Sequence, residues 1–193
     1  MIITEETKLK LMCEEVKTLE EGEKIGAQLL KELTESENGI GLAANQIGIN
    51  KRVCVINVKE PLVLINPRIV EKSEDEFIFP EGCLSFPNKH VKTKRNVSVT
   101  VESDNHKGKM VFTADSEHID DAFETACVQH EIDHLDGITM FDKKYTPEPI
   151  RRAYRKIGRN EKIVIEKDGQ QKTLKYKKAE GFMEDGWALV EMV

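Results

Sequence analysis

The stretch Gln129-His130-Glu131-Ile132-Asp133-His134 decides how this chain is read. Two histidines four positions apart share one face of a helix, close enough for both imidazoles to reach one metal ion. Glu131 stands between them, placed to face a water at that ion. The flanking residues support a helix. Asp121 is the expected N-cap, and Glu124, three positions on, completes a capping box. Phe123, Cys127, His130 and His134 recur at steps of four, three and four, which sets them on one face. Gly137 stands where a helix stops.

A catalytic metal site takes three protein ligands and leaves one position open for water. The candidates for the third ligand are Glu81, Cys83, His90, His106 and His118. Cys83 is favoured among them. It lies in Pro80-Glu81-Gly82-Cys83-Leu84-Ser85-Phe86-Pro87, a segment shaped for a defined backbone rather than for filling a core. The competing reading is a free cysteine buried as a small hydrophobe. A third segment, Gly39-Ile40-Gly41-Leu42-Ala43-Ala44-Asn45-Gln46, has glycines that let the backbone approach a ligand closely. Gln46 there either donates to a developing oxyanion or is simply an exposed glutamine on a glycine turn, the reading the segment alone favours. The segment is no dinucleotide fingerprint, since G-x-G-x-x-G is absent and no clear strand precedes it.

Around these segments the pattern alternates between helix and strand. Leu19, Ile25, Leu29, Leu30 and Leu33 give an N-terminal helix its apolar stripe. Arg52 to Val58 reads as a strand, and Pro61 to Val70 as another, interrupted by Asn66-Pro67 at an edge or bulge. Val97 to Glu102 alternates as a half-buried strand does, and Met110 to Thr113 pairs with it across a turn-rich connection. Thr146-Pro147 marks a further helix start, followed by the basic run Arg151 to Lys156. Lys162 to Glu166 and Lys172 to Tyr176 flank Asp168-Gly169, a hairpin signal. The change in composition sets a boundary near Ile157 or Gly158. Residues 1–157 form one domain, and 158–193 a small β-hairpin appendage.

Composition excludes several classes. The 193 residues carry 29 Lys and Arg against 35 Asp and Glu, a formal charge of −6. Such a chain is not built mainly to bind DNA or an anionic membrane surface. No apolar run approaches the roughly 20 residues of a membrane helix, and Met1 to Glu15 has no signal-peptide core. The four cysteines are too few and too widely spaced for a disulfide framework, which points to a reducing cytoplasm.

Taken together, Gly39 to Gln46, Glu81-Gly82-Cys83-Leu84-Ser85 and Gln129 to His134 resemble the three signature motifs of peptide deformylase, in that family's order. The likeness extends through Val63-Leu64-Ile65-Asn66-Pro67 and His134-Leu135-Asp136-Gly137 and covers about Leu19 to Asp142. It implies a compact α+β fold, with an N-terminal helix and small antiparallel or mixed β-sheets wrapped around a central metal-binding helix. It implies that Cys83, His130 and His134 hold one divalent metal, Fe²⁺ in this family, with Zn²⁺, Ni²⁺ or Co²⁺ as substitutes. By the same resemblance Glu131 is the general acid/base, and Gln46 and the Leu84 N–H are oxyanion donors. The implied substrate is an N-formylmethionyl nascent peptide. Ile40, Phe79, Phe123, Ala126 and Cys127 look like its methionine pocket, and Gly41 and Leu42 would meet its backbone. Glu81 either orients a ligand or holds Arg95.

The chain departs from the family at Phe86, where many relatives have isoleucine, and at His90, where several bacterial members have arginine. The basic stretch Pro149 to Lys156 is a candidate for transient ribosome contact, against the plainer reading of a solvated charged face. Two other functions stay open from the residues alone. One is an H-E-x-x-H metallopeptidase, which needs its third ligand downstream of the helix. The other is a non-catalytic, ribosome-docking metal-binding protein.

Overall fold

The computed structural model describes residues 2–36, 39–114, 117–146 and 158–192. The chain divides into two compact units, 1–146 and 147–193. In the first, a short helix α1 (Glu6–Leu9) precedes α2 (Leu19–Glu35). Thr18 caps α2, its hydroxyl accepting from the Glu21 N–H at 3.3 Å. Strands β1 (Gly41–Ala43), β2 (Val53–Asn57) and β3 (Pro61–Ile65) form one antiparallel sheet in the order β1-β2-β3. A second sheet runs β4-β7-β8 (Arg68–Lys72, Ser98–Glu102, Met110–Thr113), and β5 (Glu76–Gly82) pairs with β6 (His90–Asn96) in a hairpin.

Helix α3 (Ile119–Leu135) lies at the centre. Its Cys127, Val128, Ile132 and Leu135 pack with Cys54, Ile56 and Leu64 of the first sheet and Val99, Val101 and Phe112 of the second. On the other face of the first sheet, Val53, Val55 and Ile65 pack against Ile25, Leu29 and Leu33 of α2. A sheet covered on both faces explains why Val53-Cys54-Val55-Ile56 is continuously apolar rather than alternating.

Several expectations are corrected. Helix α3 begins before Asp121: its N-cap is His118, which makes no side-chain cap bond. Asp121 and Glu124 instead both pair with Lys59, at 2.5 and 2.8 Å. Pro61 to Val70 is not one interrupted strand. Asn66, at φ 51°, turns the chain between β3 and β4, which belong to different sheets. The β5–β6 hairpin was not legible in the sequence.

In the second unit, β9 (Lys162–Lys167) and β10 (Gln170–Lys175) form the expected hairpin, with Asp168 and Gly169 both at positive φ in its turn. It is joined by α4 (Tyr176–Glu184) and β11 (Ala188–Met192), giving a three-stranded sheet in the order β10-β9-β11. Ile163, Ile165 and Ala179 form its own small core. The helix start at Thr146-Pro147 and the basic run Arg151 to Lys156 fall on residues 147–157, outside the described residues.

Candidate metal centre

Cys83, His130 and His134 meet: their ligand atoms all lie within 4.8 Å of one another. The Cys83 Sγ is 3.3 Å from His134 Nε2, and the two imidazoles stand nearly perpendicular. The one-turn spacing on α3 brings the histidines together, and the end of β5 delivers Cys83 across from them. Of the five candidates for third ligand, only Cys83 joins the pair in this way. Glu81 bonds the other ring nitrogen of His130. His106 reaches the Val63 carbonyl at 3.0 Å, and His118 starts α3. His90 lies exposed at the cavity mouth.

His130 is oriented by a buried ionic chain. Its Nδ1 is 2.9 Å from Glu81 Oε2, the arrangement that leaves Nε2 with a free lone pair toward Cys83. Arg95 donates to Glu81 through Nε at 2.5 Å and Nη2 at 2.9 Å, and through Nη1 to Asp133. Thr93 Oγ1 donates to Glu81 Oε1 at 2.7 Å. Burial favours the neutral acid at Glu81, but Arg95 and His130 overcome it and hold the carboxyl at about 2. Both Glu81 oxygens are thus occupied, and its contacts carry both roles left open by the sequence: it holds Arg95 and lies against His130.

Gln46 sits on the tight turn after β1, fully buried. Its Oε1 accepts from the Ala43 N–H at 2.8 Å, and its Nε2 donates to Ser85 Oγ at 3.1 Å and lies 3.4 Å from Cys83 Sγ. Asn45 ties the same turn to α3 through the His134 carbonyl, at 2.6 Å. The Leu84 N–H has no acceptor among the described residues. Glu131 is 3% exposed, and its Oε2 has no hydrogen-bond partner among the described residues. Burial pushes its carboxyl up to about 7, against the pull of His130.

A cavity of about 670 Å³ opens onto these groups. Ile40, Gly41, Phe79, Phe123, Ala126 and Cys127 line it. Leu42 does not: its side chain is fully buried in the α2 core, and its strand β1 is an edge of its sheet. Gly41 is a glycine for steric reasons. A Cβ there would come within 2.5 Å of Glu131 Oε1 and 2.6 Å of Cys127 Sγ. Sequence reasoning missed Ser85, Asn45 and Asp133. Ser85 and Asp133 lie inside the quoted motifs, but their partners are 39 and 38 positions away in the chain.

The donor set fits a metal. One thiolate sulfur and two imidazole nitrogens converge, and one imidazole is already held by a carboxylate on its far side. Comparison with known proteins agrees. The sequence profile of the Polypeptide deformylase family matches residues 1–149. The peptide deformylase of Pseudoalteromonas translucida is 36% identical over 161 residues, covering 81% of this chain and 92% of that protein. The peptide deformylase of Desulforudis audaxviator is 40% identical over 126 residues, covering 64% and 78%. Among solved structures, the Thermotoga maritima peptide deformylase superposes with a TM-score of 0.66 at 28% identity, covering 76% of this chain and 97% of that one. A probable peptide deformylase from a Synechococcus phage gives 0.63 at 34% identity, covering 74% and 98%. The chain belongs to the polypeptide deformylase family.

Proposed function

We propose that Cys83, His130 and His134 hold one divalent metal ion and that Glu131, Gln46 and the Leu84 N–H work on the substrate beside it. The reaction is that of the family: hydrolytic removal of the formyl group from the N-terminal methionine of a nascent polypeptide, with release of formate. The metal, when bound, supplies Lewis acidity and lowers the pKa of water. Glu131 accepts the proton of the attacking water and returns it to the leaving amine. Its burial raises its affinity for the proton it must carry. Gln46 Nε2 and the Leu84 N–H donate to the oxygen of the tetrahedral oxyanion. Ser85 and the Ala43 N–H hold the Gln46 amide so that it need not reorganise. The methionine side chain enters the apolar cavity between Phe79, Phe123 and Cys127. The peptide backbone lies along the open edge of β1 at Gly41 and Leu42.

One observation carries this reading: a buried carboxyl oxygen of Glu131, without a partner among the described residues, lies beside a convergent Cys-His-His set. Fe²⁺ is the proposed resident ion, since a mixed thiolate and imidazole set accepts it along with Zn²⁺, Ni²⁺ or Co²⁺. The four free thiols suit a reducing cytoplasm, and among the described residues no helix is long and apolar enough to cross a membrane. Transient ribosome contact through the basic run 151–156 is proposed on charge alone. The metallopeptidase and docking-protein readings are not supported by the comparisons.

The test is Glu131→Gln in protein purified without oxygen. Formate release from formyl-Met-Ala-Ser is expected to fall by about 10²- to 10⁴-fold while metal content stays at one per chain. A variant that retained turnover would remove Glu131 from the chemistry.

A further inference from the structure

Beside Gln129 and Asp133 of α3, a second cleft of about 240 Å³ opens between the end of β4, strand β6 and the segment 142–144. That segment is held in place by the Lys94 N–H donating to the Lys143 carbonyl and by a bridge between Thr93 and Lys144. Five cations line the cleft: Lys72, Lys94, Arg95, Lys143 and Lys144. Three carboxylates line it too, but each is engaged. Glu76 pairs with Lys94, Asp133 with Arg95, and Asp142 with Lys10 and the Thr139 N–H. Lys72, Lys143 and Lys144 have no ion-pair partner among the described residues. Three uncompensated ammonium groups are out of keeping with their surroundings, because residues 1–146 hold 18 Lys and Arg against 27 Asp and Glu.

We propose that this cleft binds a small polyanion, a phosphate group with or without a small organic body, between Lys72, Lys143 and Lys144. Lysine ammonium groups bind phosphate as point charges, and Lys72, Lys143 and Lys144 all line this one cleft. A cation is disfavoured because every lining carboxylate already has a basic partner. A nucleic-acid backbone is disfavoured by extent: the three lysines line one cleft of about 240 Å³, and the unit around them is acidic overall.

The experiment is calorimetric titration of the metal-loaded full chain with inorganic phosphate, at matched ionic strength in chloride. Saturable binding with Kd of about 1 mM or tighter is expected, weakened at least tenfold in K72A/K143A/K144A and unchanged in K17A/K31A. Phosphate attracted to the metal centre would bind all three proteins alike, so only the difference counts. Formate release in phosphate-free buffer is expected to be unchanged in the triple variant, which separates this proposal from the activity. Equal phosphate binding by wild type and triple variant overturns it. So does a short single-stranded RNA that needs the three lysines when phosphate does not.

Discussion

Arg95 donates through three nitrogens to two carboxylates while remaining almost wholly buried. Removing one partner of a buried ionic group leaves the rest uncompensated, which costs roughly 3–5 kcal/mol. Arg95→Met is therefore expected to lower the urea midpoint sharply. It should also weaken metal binding by about 10- to 100-fold, because Glu81 then loses the partner that aims it at His130. Urea denaturation and chelator competition check the two effects separately; an unchanged midpoint would remove the chain from the stability argument. At Gly41 the steric argument is sharper. Gly41→Ala pushes a methyl against the carboxylate of Glu131, so kcat is expected to drop at least about tenfold with metal content intact. Two of the three proposed metal ligands were legible from His130 and His134 alone, since a helix fixes their spacing. Cys83 was not fixed by spacing: it is 47 positions from His130, and only the fold decides among five candidates. The resemblance pointed to it where periodicity could not.

At the scale of elements, α2 lies so close to β3 that glycine is required at the contact. A Cβ on Gly22 would fall 2.6 Å from Ile65 Cδ1, and Ile65 is fully buried. Alanine gains about 1 kcal/mol in helix propensity, but overpacking a tight core costs roughly 1–3 kcal/mol. Gly22→Ala is thus expected to destabilise on balance. Combining it with Ile65→Ala should cost less than the two single changes summed, since each relieves the other. A double-mutant cycle by urea denaturation reads this directly, and strict additivity would mean the helix moves away freely. The same packing explains what the sequence revealed. α2 was legible from its apolar stripe, and α3 because Phe123, Cys127, His130 and His134 recur at steps of four, three and four. The β5–β6 hairpin was hidden because its inward positions include Glu81, Thr93 and Arg95, buried through ion pairs and hydrogen bonds rather than by apolarity. A pattern search for alternating apolar residues passes over such strands. The N-cap of α3 was misplaced for a related reason: Asp121 and Glu124 answer to Lys59, more than 60 positions earlier, and not to the helix end.

Across the whole molecule, charge and core divide together. Residues 1–146 carry 18 basic against 27 acidic side chains, and residues 147–193 carry 11 against 8. The second unit has a core of its own in Ile163, Ile165 and Ala179. Lys172 lies over the rings of Phe182 and Trp187 there, a contact internal to that unit. None of the residues proposed to bind metal or substrate lies beyond Cys127 except His130, Glu131 and His134, all on α3. A chain ending at residue 157 is therefore expected to bind one metal ion. It should cleave formyl-Met-Ala-Ser with kcat/KM within about threefold of the full chain. The short peptide matters, because it reports the site and not any contact the extension makes with a larger partner. A loss of tenfold or more with metal still bound would mean that residues 158–193 complete the substrate site. If the short peptide is cleaved normally and only ribosome-bound chains are processed more slowly, the extension acts on delivery; its seven basic and seven acidic side chains cancel, so that effect would rest on specific contacts and not on net charge.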